Sequence, residues 1–347
     1  MFKVIKHINM DEWNNIVNNS KLTDVYHTWS YLNGYKKNGD GEPLLFYFKS
    51  DDTEIINVVI KRDISKDSNF SDKIKKSKYF DIISPYGYGG TLIHSNNNQD
   101  IENYFQSFNT YCIKNNIISE FVRFHPLKNN FDLISNKYEI IKLGETVALD
   151  LSSEEIIWSN IQSRMRNKIR KSLKDGLEIF FSNDSYLMDT FIDIYEETMR
   201  KNNADNYYFF EKDYYKSIKN DLKNNYLFCY AKLNDEIISM AIILLGDKIL
   251  HYHLSGTRQK YNNIAPNNAV ILSTAIWGSL NGYDYFHLGG GLGSGEDELL
   301  HYKKKFNKNS ELRFSIGKKI FNKEIYEELV NMRNFETSKS FFPEYRA

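Results

Sequence analysis

Apolar and polar positions along the chain fall into two successive passages of the same order. Pro43 to Lys49 and Glu54 to Arg62, rich in Val, Ile and Phe, flank Ser50-Asp51-Asp52 and predict a β-hairpin. A strand over Tyr79 to Ser84 follows, then the glycine-rich loop Pro85-Tyr86-Gly87-Tyr88-Gly89-Gly90. An amphipathic helix from about Asp100 to Asn115 and a strand from Ser119 to Phe124 close the first passage. The second passage repeats this order. Tyr226 to Leu233 and Ile237 to Leu245 pair around Asn234-Asp235, and Ile249 to Ser255 is the next strand. After a loop from Gly256 to Pro266 come a helix over Asn268 to Leu280 and a strand over Tyr283 to Leu288. Helical patterns precede each passage, over Met10 to Asn18 and Thr28 to Lys37, then over Tyr186 to Lys201 and Glu211 to Lys223. The passages share order rather than identity, and two similar α/β domains are the economical reading.

The second passage carries most of the polar chemistry. A strand, a helix and a parallel strand form a crossover unit, with a crevice at the carboxyl ends of the strands where ligands bind. His251, His253, Ser255 and Thr257 collect at one strand end and His287 at the other. Strand alternation places His251, His253 and Ser255 on one face and Tyr252 and Leu254 on the other. His253 and His287 are the candidate proton-handling groups, since imidazole titrates near working pH. A satisfied core histidine is the competing reading for each. A histidine metal trio lacks a completing carboxylate or cysteine, so no metal is expected. Asn267 and Asn268 are placed to cap the intervening helix, and Asn281-Gly282 to end it. Between the passages, Ser159 to Lys174 reads as a basic helix with Ile161, Met165, Ile169 and Leu173 as its buried stripe. Its Arg and Lys residues form either a solvated face or a cationic wall for phosphates.

With 347 residues, two domains are the default. We expect them over 1–150 and 151–317, with a tail over 318–347 packing back on the first. A 41% hydrophobic content excludes global disorder, and a formal net charge of zero argues against broad nucleic-acid binding. Cys112 and Cys229 lack metal-ligand spacing and read as buried thiols in a reducing compartment. The N-terminus has no signal-peptide pattern, and the longest apolar stretch, Ile237 to Leu245, is too short for a membrane span. A soluble, cytoplasmic protein is expected.

Seven segments in order resemble a known family: Pro85 to Gly90, Arg123-Phe124-His125-Pro126, Arg166 to Lys171, Thr198-Met199-Arg200, His251 to Gly256, His287 to Gly291, and Tyr302-Lys303-Lys304-Lys305-Phe306. The chain is similar to the Fem-type peptidoglycan-bridge aminoacyltransferases within the GNAT acyltransferase superfamily. The resemblance implies an α/β (α+β) fold of tandem GNAT-like domains, each a mixed sheet flanked by helices. No heptad segment for a coiled-coil arm is found. It implies acyl transfer to an amine, with the strands ending at Ser255 and Leu288 splayed to admit the carbonyl. Lys303 matches a lysine implicated in stabilising the reacting carbonyl, although Lys304 and Lys305 leave the register open. Lys36 and Arg200 match positions associated with the phosphates of a nucleotide- or lipid-linked precursor. Tyr86 and Tyr88 flank glycines whose backbone can approach a ligand. Arg258 keeps the first position of the pyrophosphate loop of acyl-CoA enzymes, whereas Gln259 to Ala265 lacks its glycines.

The resulting expectation is a Fem-like acyltransferase moving an aminoacyl or acyl group onto an amine of a cell-envelope precursor. Aminoacyl-tRNA or acyl-CoA would be the co-substrate, with no tightly bound cofactor. The partners would be a small-molecule or lipid-linked precursor and a tRNA acceptor end. The alternatives are an acyl-CoA-dependent N-acyltransferase acting on an amino sugar of surface polysaccharide, or a non-catalytic binding module.

Overall fold

The computed structural model describes residues 1–128, 130–292, 295–333 and 341–347. In chain order the first elements are β1 (Phe2–Lys6), α1 (Met10–Asn19), α2 (Trp29–Lys37), β2 (Glu42–Lys49), β3 (Thr53–Asp63), β4 (Phe80–Ile83), β5 (Leu92–Ser95), α3 (Asn98–Lys114) and β6 (Ile117–Arg123). Next come β7 (Glu139–Asp150), α4 (Glu154–Asn160), α5 (Ser163–Lys174), β8 (Glu178–Ser182), α6 (Leu187–Lys201) and α7 (Lys212–Asp221). The rest are β9 (Tyr226–Leu233), β10 (Glu236–Leu245), β11 (Ile249–Thr257), α8 (Asn267–Leu280), β12 (Tyr285–Gly289), α9 (Glu298–Lys304), β13 (Leu312–Ile320) and α10 (Lys323–Asn331).

The chain forms two compact units, one of Met1–Leu143 with Phe314–Ala347 and one of Gly144–Arg313. Both repeat a GNAT-like plan. In the first unit the strand order is β1-β2-β3-β4-β6-β13, with β5 also on β3. Its β4 and β6 are parallel, and α3 lies between them in sequence. In the second unit the order is β7-β12-β11-β10-β9-β8, the parallel pair is β11 and β12, and α8 connects them. The other ladders described within each unit are antiparallel. No coiled-coil arm occurs among the described residues, where the longest helix is the 17-residue α3.

Local chemistry explains the frame. Asn234 and Asp235 both adopt positive φ, as a two-residue hairpin turn requires, between β9 and β10. Gly282, at φ +77, ends α8 in the left-handed region as expected. Helix α8 is apolar nearly all round and sits in the second unit's core with Val147, Leu149, Ile243, Leu250 and Phe286. The first unit is built on Phe46, Ile55, Ile82, Tyr104, Phe108 and Val122. A satellite cluster joins Ile64, Phe70, Tyr326, Leu329 and Tyr345, so α10 and the last residues pack within that unit. Cys112 and Cys229 are buried free thiols.

The basic segment departs from a single helix. It breaks at Ile161-Gln162, where the Gln162 N–H donates to the Lys305 carbonyl at 2.9 Å. Ile161, Met165 and Ile169 are buried, but Leu173 is 40% exposed and Ser172 takes the inward position. A four-residue spacing drifts by about 40° per step on a 3.6-residue helix, so the stripe leaves the core by its fourth member.

Candidate active site

The gap between β11 and β12 is set by where their ladder stops. They pair only at Ile249–Tyr285, Leu250–Phe286 and His251–His287. Beyond that, β11 runs on to Thr257 and stays on β10, while β12 runs on to Gly289 along β7. Each strand carries a bulge on its outer side. On β11, Tyr252 and Leu254 face Ile243 and Ile242, leaving His253 as the extra residue. On β12, His287 and Gly289 face Ala148 and Val147, leaving Leu288 extra. A bulge bends the strand that holds it, so two bulges just past the last shared pair turn the strands onto separate courses.

The bulge also corrects the expected alternation. His253 Nε2 lies 2.8 Å from the Tyr214 hydroxyl of α7. Ser255 instead shares the Tyr252 side, where burial pushes the Tyr252 hydroxyl up to about 12 against its hydrogen bonds with Ser255 and Asn267. His287 is buried and lies edge-on to His251, ring centroids 5.9 Å apart. Burial, with the His251 charge adding to it, pushes His253 down to about 3, so its imidazole is neutral at physiological pH.

The chain after β12 brings in a lysine. Asp297 caps α9 by accepting from the Leu300 N–H at 2.7 Å, and it also accepts from the Leu292 N–H. A Cβ at Gly290 would lie 2.9 Å from the Glu145 carbonyl oxygen, so this stretch needs glycine there. Of the three consecutive lysines, Lys303 turns inward and its Nζ donates to the Gly290 carbonyl at 2.7 Å. Lys304 pairs with Glu145, and Lys305 is exposed. Burial lowers Lys303 to about 8 despite the opposing pull of Asp297.

The remaining sequence candidates occupy varied places. Arg258 follows β11 and is held by Asp193 at 2.7 Å and Glu197 at 3.1 Å, with Glu236 at 4.0 Å. Arg200, on α6, pairs with Glu196 one turn back at 2.9 Å and is exposed. Lys36, Tyr86 and Tyr88 belong to the other unit. Lys36 pairs with Glu42 at 2.8 Å, Tyr86 stacks on Tyr35 at 5.8 Å, and Tyr88 lies edge-on to Tyr26 and Phe314. Asn267 and Asn268 do not cap α8; their side chains serve Tyr252 and Tyr302.

The equivalent parallel pair of the first unit is laced shut. Past the β4–β6 ladder, the Arg123 guanidinium donates to the Ser84, Pro85 and Gly87 carbonyls at 3.1, 2.9 and 3.1 Å. The Arg123 N–H donates to Ser84 Oγ, and the Gly89 N–H returns to the Arg123 carbonyl. Sequence reasoning passed over Arg123 as a structural strap, and also Tyr214, Asp297 and the Tyr302 hydroxyl. Asp297 was findable, since Asp-Glu-Leu-Leu is a helix-start signature.

Residues 159–304, which lie in the second unit apart from its first strand, match the profile of the Acetyltransferase (GNAT) domain family. No curated protein sequence matches the chain. Among solved structures, FemX is similar over 94% of this chain and 99% of its own, with a TM-score of 0.69 at 13% identity. A conserved protein of unknown function from Bacteroides thetaiotaomicron gives 0.57 at 12% identity, over 91% of this chain and 98% of its own. The C-terminal domain of a putative lysylphosphatidylglycerol synthetase from Agrobacterium fabrum gives 0.53 at 12%, over 89% and 92%. By fold and by domain profile, the chain resembles the FemX-like proteins of the GNAT acyltransferase superfamily.

Proposed function

We propose that this protein transfers an aminoacyl or acyl group onto an amine of a cell-envelope precursor, and that the reacting carbonyl enters between β11 and β12. The observation that carries the reading is the ladder that stops at His251–His287, with the Lys303 amine held on the Gly290 carbonyl, one residue past β12. An amine nitrogen attacks the carbonyl carbon, its oxygen becomes an oxyanion, and the bond to the ribose oxygen or thiol sulfur breaks as the carbonyl reforms. The leaving group then takes a proton. Lys303, near 8, remains mostly an ammonium at pH 7 and can donate to the oxyanion and to the departing atom. His253, hydrogen-bonded to Tyr214, and buried His287 are the candidates to receive the proton of the attacking amine; the burial that keeps His253 neutral also makes it a weak base. Ser255 lines the same strand. On this reading Arg200 of the second unit exchanges its present carboxylate partner for a precursor phosphate; Lys36, Tyr86 and Tyr88 are the first unit's own candidates for binding the precursor.

Two observations rank aminoacyl-tRNA above acyl-CoA as the donor. Around Arg258 the anion position is already filled, since Glu197 accepts from both the Arg258 guanidinium and the Gln259 N–H at 2.7 Å. The first N–H groups of α8 are likewise spent, on the Ala265 and Pro266 carbonyls. In contrast, α5 carries Arg164, Arg166, Lys168, Arg170, Lys171 and Lys174 without an acidic residue, and among the described residues none of the six is in an ion pair. Such a face suits a phosphate backbone. The names of the similar proteins, FemX and a lysylphosphatidylglycerol synthetase domain, support an envelope precursor as acceptor.

The test offers purified protein a labelled aminoacyl-tRNA pool and labelled acetyl-CoA in parallel, with a nucleotide-linked muropeptide as acceptor. Transfer from aminoacyl-tRNA is expected. Turnover with the thioester alone reverses the donor ranking, and transfer from neither favours a binding module.

A further inference from the structure

Next to Lys303, the Tyr302 side chain takes part in a chain of hydrogen bonds that joins three elements. Its hydroxyl donates to Asn268 Oδ1 at 2.9 Å and accepts from Asn267 Nδ2 at 3.3 Å. Asn267 Oδ1 in turn accepts from the Tyr252 hydroxyl at 2.7 Å. Tyr252 stands on β11 between His251 and the bulged His253, the two asparagines open α8, and Tyr302 belongs to α9. Each of the two hydroxyls can both donate and accept, so a single chain of hydrogen bonds runs from Tyr252 through Asn267 and Tyr302 to Asn268. The two rings are seated as well, Tyr302 edge-on to Phe306 at 5.5 Å and Tyr252 tilted steeply to Phe286 of β12 at 6.2 Å.

Helix α9 has only seven residues, too few to be stable unaided, so its place depends on what ties it down. Its N-terminus is fixed by Asp297 and its end by the Lys304–Glu145 pair and the Gln162 bond to the Lys305 carbonyl. None of these reaches β11. The Tyr302 hydroxyl does, through Asn267 and Tyr252.

Resting on the acyl-transfer reading above, we propose that the Tyr302 hydroxyl is a positioning group: it registers α9 against β11 and the start of α8, and so holds the Lys303 amine on the Gly290 carbonyl at the mouth of the gap. Phenylalanine at this position keeps the ring but leaves Asn267 Nδ2 and Asn268 Oδ1 unmatched in a half-buried place. The asparagines then re-pair, α9 loosens, and water reaches Lys303.

The experiment compares wild type, Tyr302→Phe and Asn268→Leu as folded full-length chains, with thermal unfolding as the control for folding. The first readout titrates the Lys303 amine by competitive acetylation with trace acetic anhydride and peptide mass spectrometry, which needs no turnover. In both variants the Lys303 titration is expected to move upward by at least half a pH unit, toward that of exposed lysines. The second readout is transfer kinetics. Here kcat falls about tenfold while KM for donor and acceptor stays within about twofold, the signature of a misplaced catalytic group rather than a lost binding contact. An unchanged Lys303 titration in both variants overturns the proposal. So does an unchanged kcat in an active enzyme. If the wild type transfers nothing while the titration still moves, the positioning role stands and the acyl-transfer reading is what fails.

Discussion

Lys303 offers the sharpest prediction, because its surroundings fix both a direction and a pH window. Burial holds the amine near 8, against 10.5 for an ordinary lysine. It is then about nine-tenths protonated at pH 7 and about one-tenth at pH 9. If its proton serves the oxyanion and leaving group, kcat loses about tenfold per pH unit above 8, after a rising limb from the attacking amine. Lys303→Arg keeps a charge that no longer titrates in this range, so the falling limb disappears even though the bulkier group lowers the plateau. Lys303→Met removes the donor and lowers kcat by about 10²–10³-fold. Stability should move the other way. The folded value lies below the unfolded one, so between about 8 and 10.5 the unfolded chain binds more protons and stability from this group rises with pH. Below 8 the buried ammonium is a cost, and the methionine variant should melt no lower than wild type at pH 7. The assay is initial-rate kinetics with labelled donor from pH 6 to 10, paired with thermal unfolding. A falling limb that survives unchanged in Lys303→Arg, or full activity in Lys303→Met, refutes the assignment.

Other outcomes follow from the same contacts. Arg123→Ala strips charged donors from three carbonyls in the first unit and should cost about 2–4 kcal/mol in denaturant unfolding, with Arg123→Lys, which lacks the planar fork, only partly restoring it. Burial alone would raise Asp81, but Arg62 and Arg346 outweigh it and hold the carboxyl below the usual range. Its contribution is therefore present above pH 4 and lost as pH falls below that, and an Arg346→Ala variant should show a shallower acid-unfolding profile. Replacing Lys168, Lys171 and Lys174 by glutamate should weaken tRNA binding in filter assays and flatten its salt dependence, with acceptor affinity unchanged. Equal salt slopes would remove α5 from the donor path.

Where the chain met a strong local signal, the fold could be read directly. The paired hairpins, α8 and the parallel strands that flank it follow from turn residues, β-branched runs and one apolar helix. Elements without such signals escaped. In β7, lysine and glutamate interrupt the first half and only Val147 to Leu149 look like core. Strand β13 mixes Arg313, Lys318 and Lys319 with its apolar residues, and α9 is short and lysine-rich. At the site, sequence located the strand ends but not the bulges at His253 and Leu288, which depend on the pairing of both neighbours. It singled out Arg258, Arg200 and Lys36 by charge, yet their carboxylate partners are visible only in three dimensions. The Tyr302 hydroxyl carried no signal at all, because its partners lie more than thirty residues away in sequence.

A donor analogue bearing a photoreactive group on its acyl chain probes the gap most directly. After irradiation with purified protein and digestion, adducts are expected in the peptides spanning 249–257 and 285–292, and competition by unlabelled donor should remove them. Labelling confined to the loop 85–90 and its neighbours in the first unit, with those two peptides clean, would contradict a carbonyl seated between β11 and β12.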